Sequence, residues 1–220
     1  SRAEGGREEE GLIRTEKRTL ARALAAAADG RVYVGALGEI GLLEPDAQGH
    51  MHYVSLLDRL PPELRDFDDV HHVFVRGGDV FFATYARLIR LRGDDVRSWT
   101  PGSAFHRAFM ARDRLFIRER GRGLMELVGD DLQLVPGSAA MAEERVDFVL
   151  PWGRGEGLLV GSRDSGLHVL DDGSLRPLDS DANAVVRRDL LYAGVQLADG
   201  SYALGTFQGG VHFLHAEARR

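Results

Sequence analysis

The sequence contains no cysteine, which removes disulfides, thiol nucleophiles and cysteine-ligated zinc sites together. Lysine is almost absent as well: Lys17 is the only one, and arginine carries nearly all the positive charge. There is no cationic excess, since the net charge is −6. A nucleic-acid partner, which normally selects a basic chain, is therefore not expected. No run approaches the roughly 18–20 apolar residues that span a bilayer. The first ten residues, SRAEGGREEE, lack the apolar centre of a signal peptide and read as a flexible tail. Any export or anchoring signal is expected outside this sequence. What remains is an ordinary globular composition, 44% hydrophobic and 28% charged over 220 residues, enough to bury a real core.

Internal repetition is the dominant positive signal. Five segments align: DGRVYVGALGEIGLLEP from Asp29, GGDVFFATYARLIRLRG from Gly77, RDRLFIRERGRGLMELVG from Arg112, GEGLLVGSRDSGLHVLDD from Gly155 and DGSYALGTFQGGVHFLHA from Asp199. Each holds a turn, a short apolar strand, a polar loop and a second apolar strand. Leu43, Leu91, Leu127, Leu170 and Leu214 form one column, and Ile40, Leu88, Leu124, Leu167 and Val211 another. Val32, Val80, Leu115, Leu158 and Tyr202 mark the first strand, at separations of 48, 35, 43 and 44 residues. Helical repeats of that length need longer segments with apolar residues at i, i+3, i+4 and i+7. Short Val-, Leu-, Phe- and Tyr-rich runs cut by Gly and Asp instead read as strands, and sheets stacked around an axis bury such strands on both faces.

The fold class is therefore all-β, a β-propeller or partial propeller of about five four-stranded blades, near 19–61, 62–102, 103–138, 139–180 and 181–220. Inner strands are expected at Leu20–Leu24, Val70–Val75, Phe105–Met110, Val146–Leu150 and Leu190–Leu197. Outer strands fall at Met51–Val54, Val96–Trp99, Leu132–Val135 and Leu175–Leu178. The fifth repeat has no outer strand, and residues 11–18 belong to no repeat. Either 11–18 closes a ring, or the chain is an open arc, whose exposed apolar faces and edges would drive homodimers or aggregates. The stretch LLDRLPPELRDF allows a short helical turn, ended by Pro61–Pro62.

The unit DGRVYVGALGEIGLL, and above all LADGSYALGTFQGGVHFL, resembles the two-component regulator propeller repeat. The glycine at Gly35, Gly161 and Gly205 belongs to that pattern; Phe82-Ala83-Thr84 and Phe116-Ile117-Arg118 depart from it. The resemblance implies the periplasmic sensor region of a membrane-anchored bacterial signalling protein, cut from a longer propeller and joined to further domains. It implies a binding role, with no catalysis and no cofactor. A protein-interaction scaffold is the alternative, and a propeller lyase or hydrolase the third reading.

Ligand contacts are expected where loops from several blades converge. Candidates are Glu39, Tyr85, Arg87, Arg120, Arg122, Arg163, Gln208 and His106. With Arg118 these loops carry five arginines, whose planar forks suit carboxylate, sulfate or phosphate, so an anionic small ligand is expected. His106 with Glu39 is the pair a lyase would use at such a mouth. No metal site is expected: His71 and His72 are adjacent and on a strand would face opposite sides, while His168 and His212 share a register filled elsewhere by Met125 and Ile89. Ser162 in GSRDSG lacks the strand-to-helix elbow of a hydrolase nucleophile. Trp99 and Trp152 read as packing residues.

Overall fold

A computed structural model describes residues 13–215. The segment 1–10, expected to be a flexible tail, lies outside them. Among the described residues nineteen strands form five antiparallel sheets, each a meander. The first contains β1 (Ala21–Ala26), β2 (Val32–Ala36), β3 (Glu39–Pro45) and β4 (Met51–Ser55). The second contains β5 (His72–Arg76), β6 (Asp79–Ala83), β7 (Leu88–Arg92) and β8 (Asp95–Trp99), and the third β9 (Phe105–Ala111), β10 (Arg114–Glu119), β11 (Gly123–Val128) and β12 (Asp131–Leu134). β13 (Val146–Pro151), β14 (Leu158–Ser162), β15 (Gly166–Asp171) and β16 (Ser174–Pro177) make the fourth. The fifth has three strands, β17 (Leu191–Gln196), β18 (Tyr202–Thr206) and β19 (Val211–Leu214). This is a β-propeller arrangement.

Strand alternation explains why these sheets stack. In β6, Phe82 faces the first sheet, joining Ile40, Leu42 and Val73, while Phe81 faces the third, joining Leu115 and Ile117. β10 repeats the device: Ile117 looks back and Phe116 forward, onto Val149 and Val160. In β14, Leu159 meets Leu204 and Tyr202 of the fifth sheet. Every central strand is thus apolar on both faces, giving continuous hydrophobic runs where a one-sided sheet would alternate.

Among the described residues the stack is open at both ends. Inner strands β1, β5, β9, β13 and β17 touch in succession, and no comparable contact joins β17 to β1. On the fifth sheet's outer face Val195, Val211 and Phe213 are 53%, 60% and 61% exposed, and Leu24 is 65% exposed on the first sheet. Residues 13–18 lie in no strand; they fold over the β2–β3 turn, where the Lys17 amide and Thr19 hydroxyl donate to Glu39 at 2.9 and 2.8 Å.

The connections between blades differ. Two 3₁₀ turns, Leu57–Arg59 and Pro62–Leu64, follow the first sheet. Ser138, in a third turn, bonds the Leu124 amide and carbonyl at 3.2 and 3.0 Å. Before β17 runs a helix, α1 (Asp181–Arg188), capped by Ser180. Its Asn183 accepts from the Leu167 amide at 2.8 Å and donates to the Leu167 carbonyl at 3.2 Å. Leu124 and Leu167 share one repeat column, so two unlike elements satisfy the same backbone groups. Among the described residues no helix is long and apolar enough to cross a membrane.

Candidate functional site

The site originates in an irregularity of the inner strands. In the first sheet Ala21 pairs with Ala36 and Ala23 with Gly35, leaving Arg22 as the extra residue of a β-bulge. The same break falls at Asp147 in the fourth sheet and Tyr192 in the fifth, and at His106 and Arg107 in the third. In the second sheet pairing begins at His72, placing His71 in the corresponding position. A bulge bends its strand and re-aims the extra side chain. Five blades therefore turn Arg22, His71, His106, Asp147 and Tyr192 towards one end of the arc.

There Arg22, His71 and His106 border a cavity of about 400 Å³, lined also by His72, Tyr85, Arg107, Arg145 and Arg163. Tyr85 and Arg163 come from the turns after β6 and β14. Four guanidiniums thus share one small space. Asp147, its side chain fully buried, lies behind two of them, 3.0 Å from Arg163 and 3.5 Å from Arg107. Burial pushes the Asp147 carboxyl up against the opposing pull of Arg107 and Arg163. Asp69 sits 2.7 Å from Arg22. Arg163 also stacks over Tyr192 and Phe207, with its guanidinium carbon 5.5 and 4.9 Å from the ring centres. Arg145 makes no salt bridge among the described residues.

Burial disfavours the charged form of the three histidines that line the cavity. Burial, reinforced by His71, Arg107 and His106, lowers His72 to about 3. Burial followed by Arg118 and Arg107 lowers His106 to about 4, and burial also depresses His71. Nδ1 of His71 lies 2.8 Å from Nδ1 of His72, and the His71 ring packs on Tyr85 with centroids 4.7 Å apart. The expectation that His71 and His72 diverge is therefore corrected: His71 precedes the regular strand, so alternation does not govern it. Among the described residues no group of three His, Asp or Glu side chains is arranged to hold a metal ion.

Of the residues expected from sequence, Tyr85, His106 and Arg163 line the cavity. The others lie elsewhere. Glu39 is fully buried under the 13–19 segment and does not meet His106. Its burial alone would raise the carboxyl, but hydrogen bonds from the Lys17 amide, Thr15 and Thr19 hold it below the usual range. Arg87 reaches the Glu63 carbonyl at 3.5 Å, Arg122 bonds Glu119 at 3.1 Å, and Arg120 and Gln208 are exposed off the cavity lining. Ser162 caps its own turn, accepting the Asp164 and Ser165 amides at 3.2 and 3.3 Å beside Glu144. Trp152 stacks on Tyr202 at 5.5 Å, and the Trp99 indole donates to the Asp130 carbonyl at 2.8 Å.

Arg22, His71, His72, Arg107 and Arg145 were not identified as cavity residues from sequence. The available signal was the bulge column, polar or aromatic in all five blades. It is hidden because it stands 10, 9, 9, 11 and 10 residues before the Val32, Val80, Leu115, Leu158 and Tyr202 column. Hairpins of unequal length between the first two strands of each blade cause that drift.

No family model matches the chain, and no curated protein matches it by sequence. Solved structures do match in shape. Virginiamycin B lyase from Staphylococcus aureus superposes with a TM-score of 0.60 at 12% identity, over 92% of this chain and 72% of that one; a histidine-to-alanine variant of that enzyme is catalytically inactive. The extracellular domain of a protein assigned as a hybrid two-component system from B. thetaiotaomicron gives 0.65 at 13%, over 90% of this chain and 27% of that one. BamB from Moraxella catarrhalis gives 0.60 at 12%, over 90% and 59%. At such identities the likeness shows one thing, the β-propeller fold.

Proposed function

We propose that the chain is an extracytoplasmic sensor propeller that binds a small anion in the arginine-lined cavity and performs no chemistry on it. One observation carries this reading: four guanidiniums converge on a cavity whose lining includes no carboxylate. In a partly dehydrated site such an excess is relieved by an incoming oxyanion, which guanidinium forks bind bidentately. The likeness to an extracellular domain of a two-component system supports the periplasmic setting and the signalling role. Calorimetric titration with sulfate, phosphate and dicarboxylates at pH 6 is expected to show saturable binding. Arg145→Gln should weaken it at least about tenfold, the equivalent of one lost charged hydrogen bond. Binding that is unchanged in this variant would place the anion elsewhere.

Three histidines in the cavity favour a second reading, a lyase, given that the superposing lyase is inactivated by loss of a histidine. The protonation behaviour argues against it. A general base works best with a pKa near the operating pH, whereas His72 and His106 are held near 3 and 4.

A sensor must pass occupancy onward, and the two free sheet faces are the surfaces through which adjoining domains or a second copy would receive it. Apolar faces this exposed drive association. Light scattering at tens of micromolar is expected to report dimers or larger species, and Phe213→Glu to return the protein towards monomer. A monomeric wild type would remove this part of the reading.

A further inference from the structure

We infer that anion binding in the cavity is coupled to protonation of the His71–His72–His106 cluster, so that occupancy reports pH as well as ligand. The inference rests on the anion-binding reading and starts from nitrogen atoms without partners. Nε2 of His71 and Nδ1 of His106 are buried and have no hydrogen-bond partner. An imidazole nitrogen left without a partner is costly; sealed from the cavity space, these two feel an oxyanion seated between the arginines through its charge, while their rings line the cavity. The His71 and His72 Nδ1 atoms face each other at 2.8 Å. A hydrogen bond there requires one Nδ1 to donate and the other to accept, so this pair takes up one proton more readily than two.

The surrounding charges set the sign. Arg107 faces all three rings; Arg118 and Arg145 face His106. Asp68 and Asp69 oppose them only at His71. Arg22, Tyr85 and Arg163 complete the lining, which includes no residue of the fifth sheet, and Asp147 lies behind Arg107 and Arg163. In the empty cavity burial first, and the guanidinium field after it, disfavours the imidazolium forms, so the imidazoles stay neutral. A bound anion cancels that field and favours the imidazolium. Binding therefore draws protons in, and affinity rises as pH falls from 7 towards 5. The gain ends once the histidines are protonated in the empty protein as well.

Sulfate is the suitable probe, because it keeps the same charge throughout this range. Calorimetry at pH 5.5 and constant ionic strength, in two buffers of different ionisation enthalpy, is expected to show uptake of about one proton per sulfate. Affinity should then strengthen about tenfold per pH unit. His106→Gln should reduce the uptake and flatten the rise of sulfate affinity with falling pH. Histidine ring proton resonances of the unaltered protein give a reading independent of any variant: sulfate should move at least one titration midpoint upward. Sulfate binding with no proton uptake and a flat pH profile overturns the coupling and leaves the anion site standing. Absence of sulfate binding overturns both.

Discussion

Gly161→Ala is expected to destabilise the protein by about 2–3 kcal/mol, the usual cost of overpacking a well-filled core. Gly205→Ala, at the same repeat position one blade later, should be neutral or slightly stabilising. A Cβ at Gly161 would lie 2.3 Å from the Phe148 ring. That ring cannot retreat, because on its other side a Cβ position at Gly194 of the fifth sheet is only 2.6 Å away. Phe148 is thus clamped between two glycines at the junction of the fourth and fifth blades, within the cluster of Leu159, Leu204 and Tyr202. At Gly205 the nearest atom to a new Cβ is the Ala193 Cβ at 3.8 Å, an ordinary contact. Neither glycine has a positive φ, so backbone strain does not enter, and alanine at Gly205 gains by restricting the unfolded chain. For a domain of this size the Gly161 change corresponds to about 5–10 °C in Tm. Thermal unfolding of the two variants side by side is the measurement. Equal losses would mean that the outer face of the fifth sheet is packed, and the open arc would fall.

That pair of glycines also shows what the sequence carries and what it conceals. Gly35, Gly161 and Gly205 are visible as a repeated motif, yet their reasons differ. A Cβ at Gly35 would strike Val70 and Val73 of the next blade, whereas one at Gly205 would meet only Ala193 of its own sheet, at 3.8 Å. A one-dimensional pattern records the position, and only the stacking distinguishes the two cases. The strands themselves were legible almost residue by residue, because apolar side chains on both faces of β6, β10 and β14 leave a run that no helix of that length would produce. Helix α1 was not read. Its eight residues bury only Val186 fully, so the periodicity that would announce it is too short to register. Its most specific task, the Asn183 bonds to Leu167, depends on a side chain reaching another blade.

The cavity was half legible for a related reason. Loops after the second strand are adjacent to the repeat's strongest columns, so Tyr85 and Arg163 fall into line with them. The inner-strand bulge is separated from those columns by hairpins of variable length, and Arg22, Arg107 and the His71–His72 pair were lost there. Loop arginines such as Arg120 and Arg122 looked equivalent to Arg163 in sequence. What separates them is a partner: Arg122 turns to Glu119, and Arg163 is drawn inward by the fully buried carboxylate of Asp147.

That carboxylate yields the second large effect. Asp147→Asn should weaken folding and strengthen anion binding together. The side chain is inaccessible to solvent and receives Nε and an amino nitrogen of Arg163 at 3.2 and 3.0 Å, with Arg107 at 3.5 Å. Asparagine keeps the shape but withdraws the charge, leaving two guanidiniums without their counter-ion. Breaking a buried pair on one side costs about 3–5 kcal/mol; both arginines keep some access to water, which places the expected loss near the lower limit, about 3 kcal/mol. The same change removes the nearest negative charge competing with an incoming oxyanion, so sulfate affinity should rise about tenfold, and saturating sulfate should recover part of the lost Tm by mass action. The opposite signs are diagnostic. If Asp147 only held Arg107 and Arg163 in place, binding would weaken along with stability. If the carboxylate were protonated in the native protein, neither quantity would move. Measuring unfolding and sulfate affinity on this one variant therefore separates a buried counter-ion, which an anion can replace, from a structural hydrogen bond.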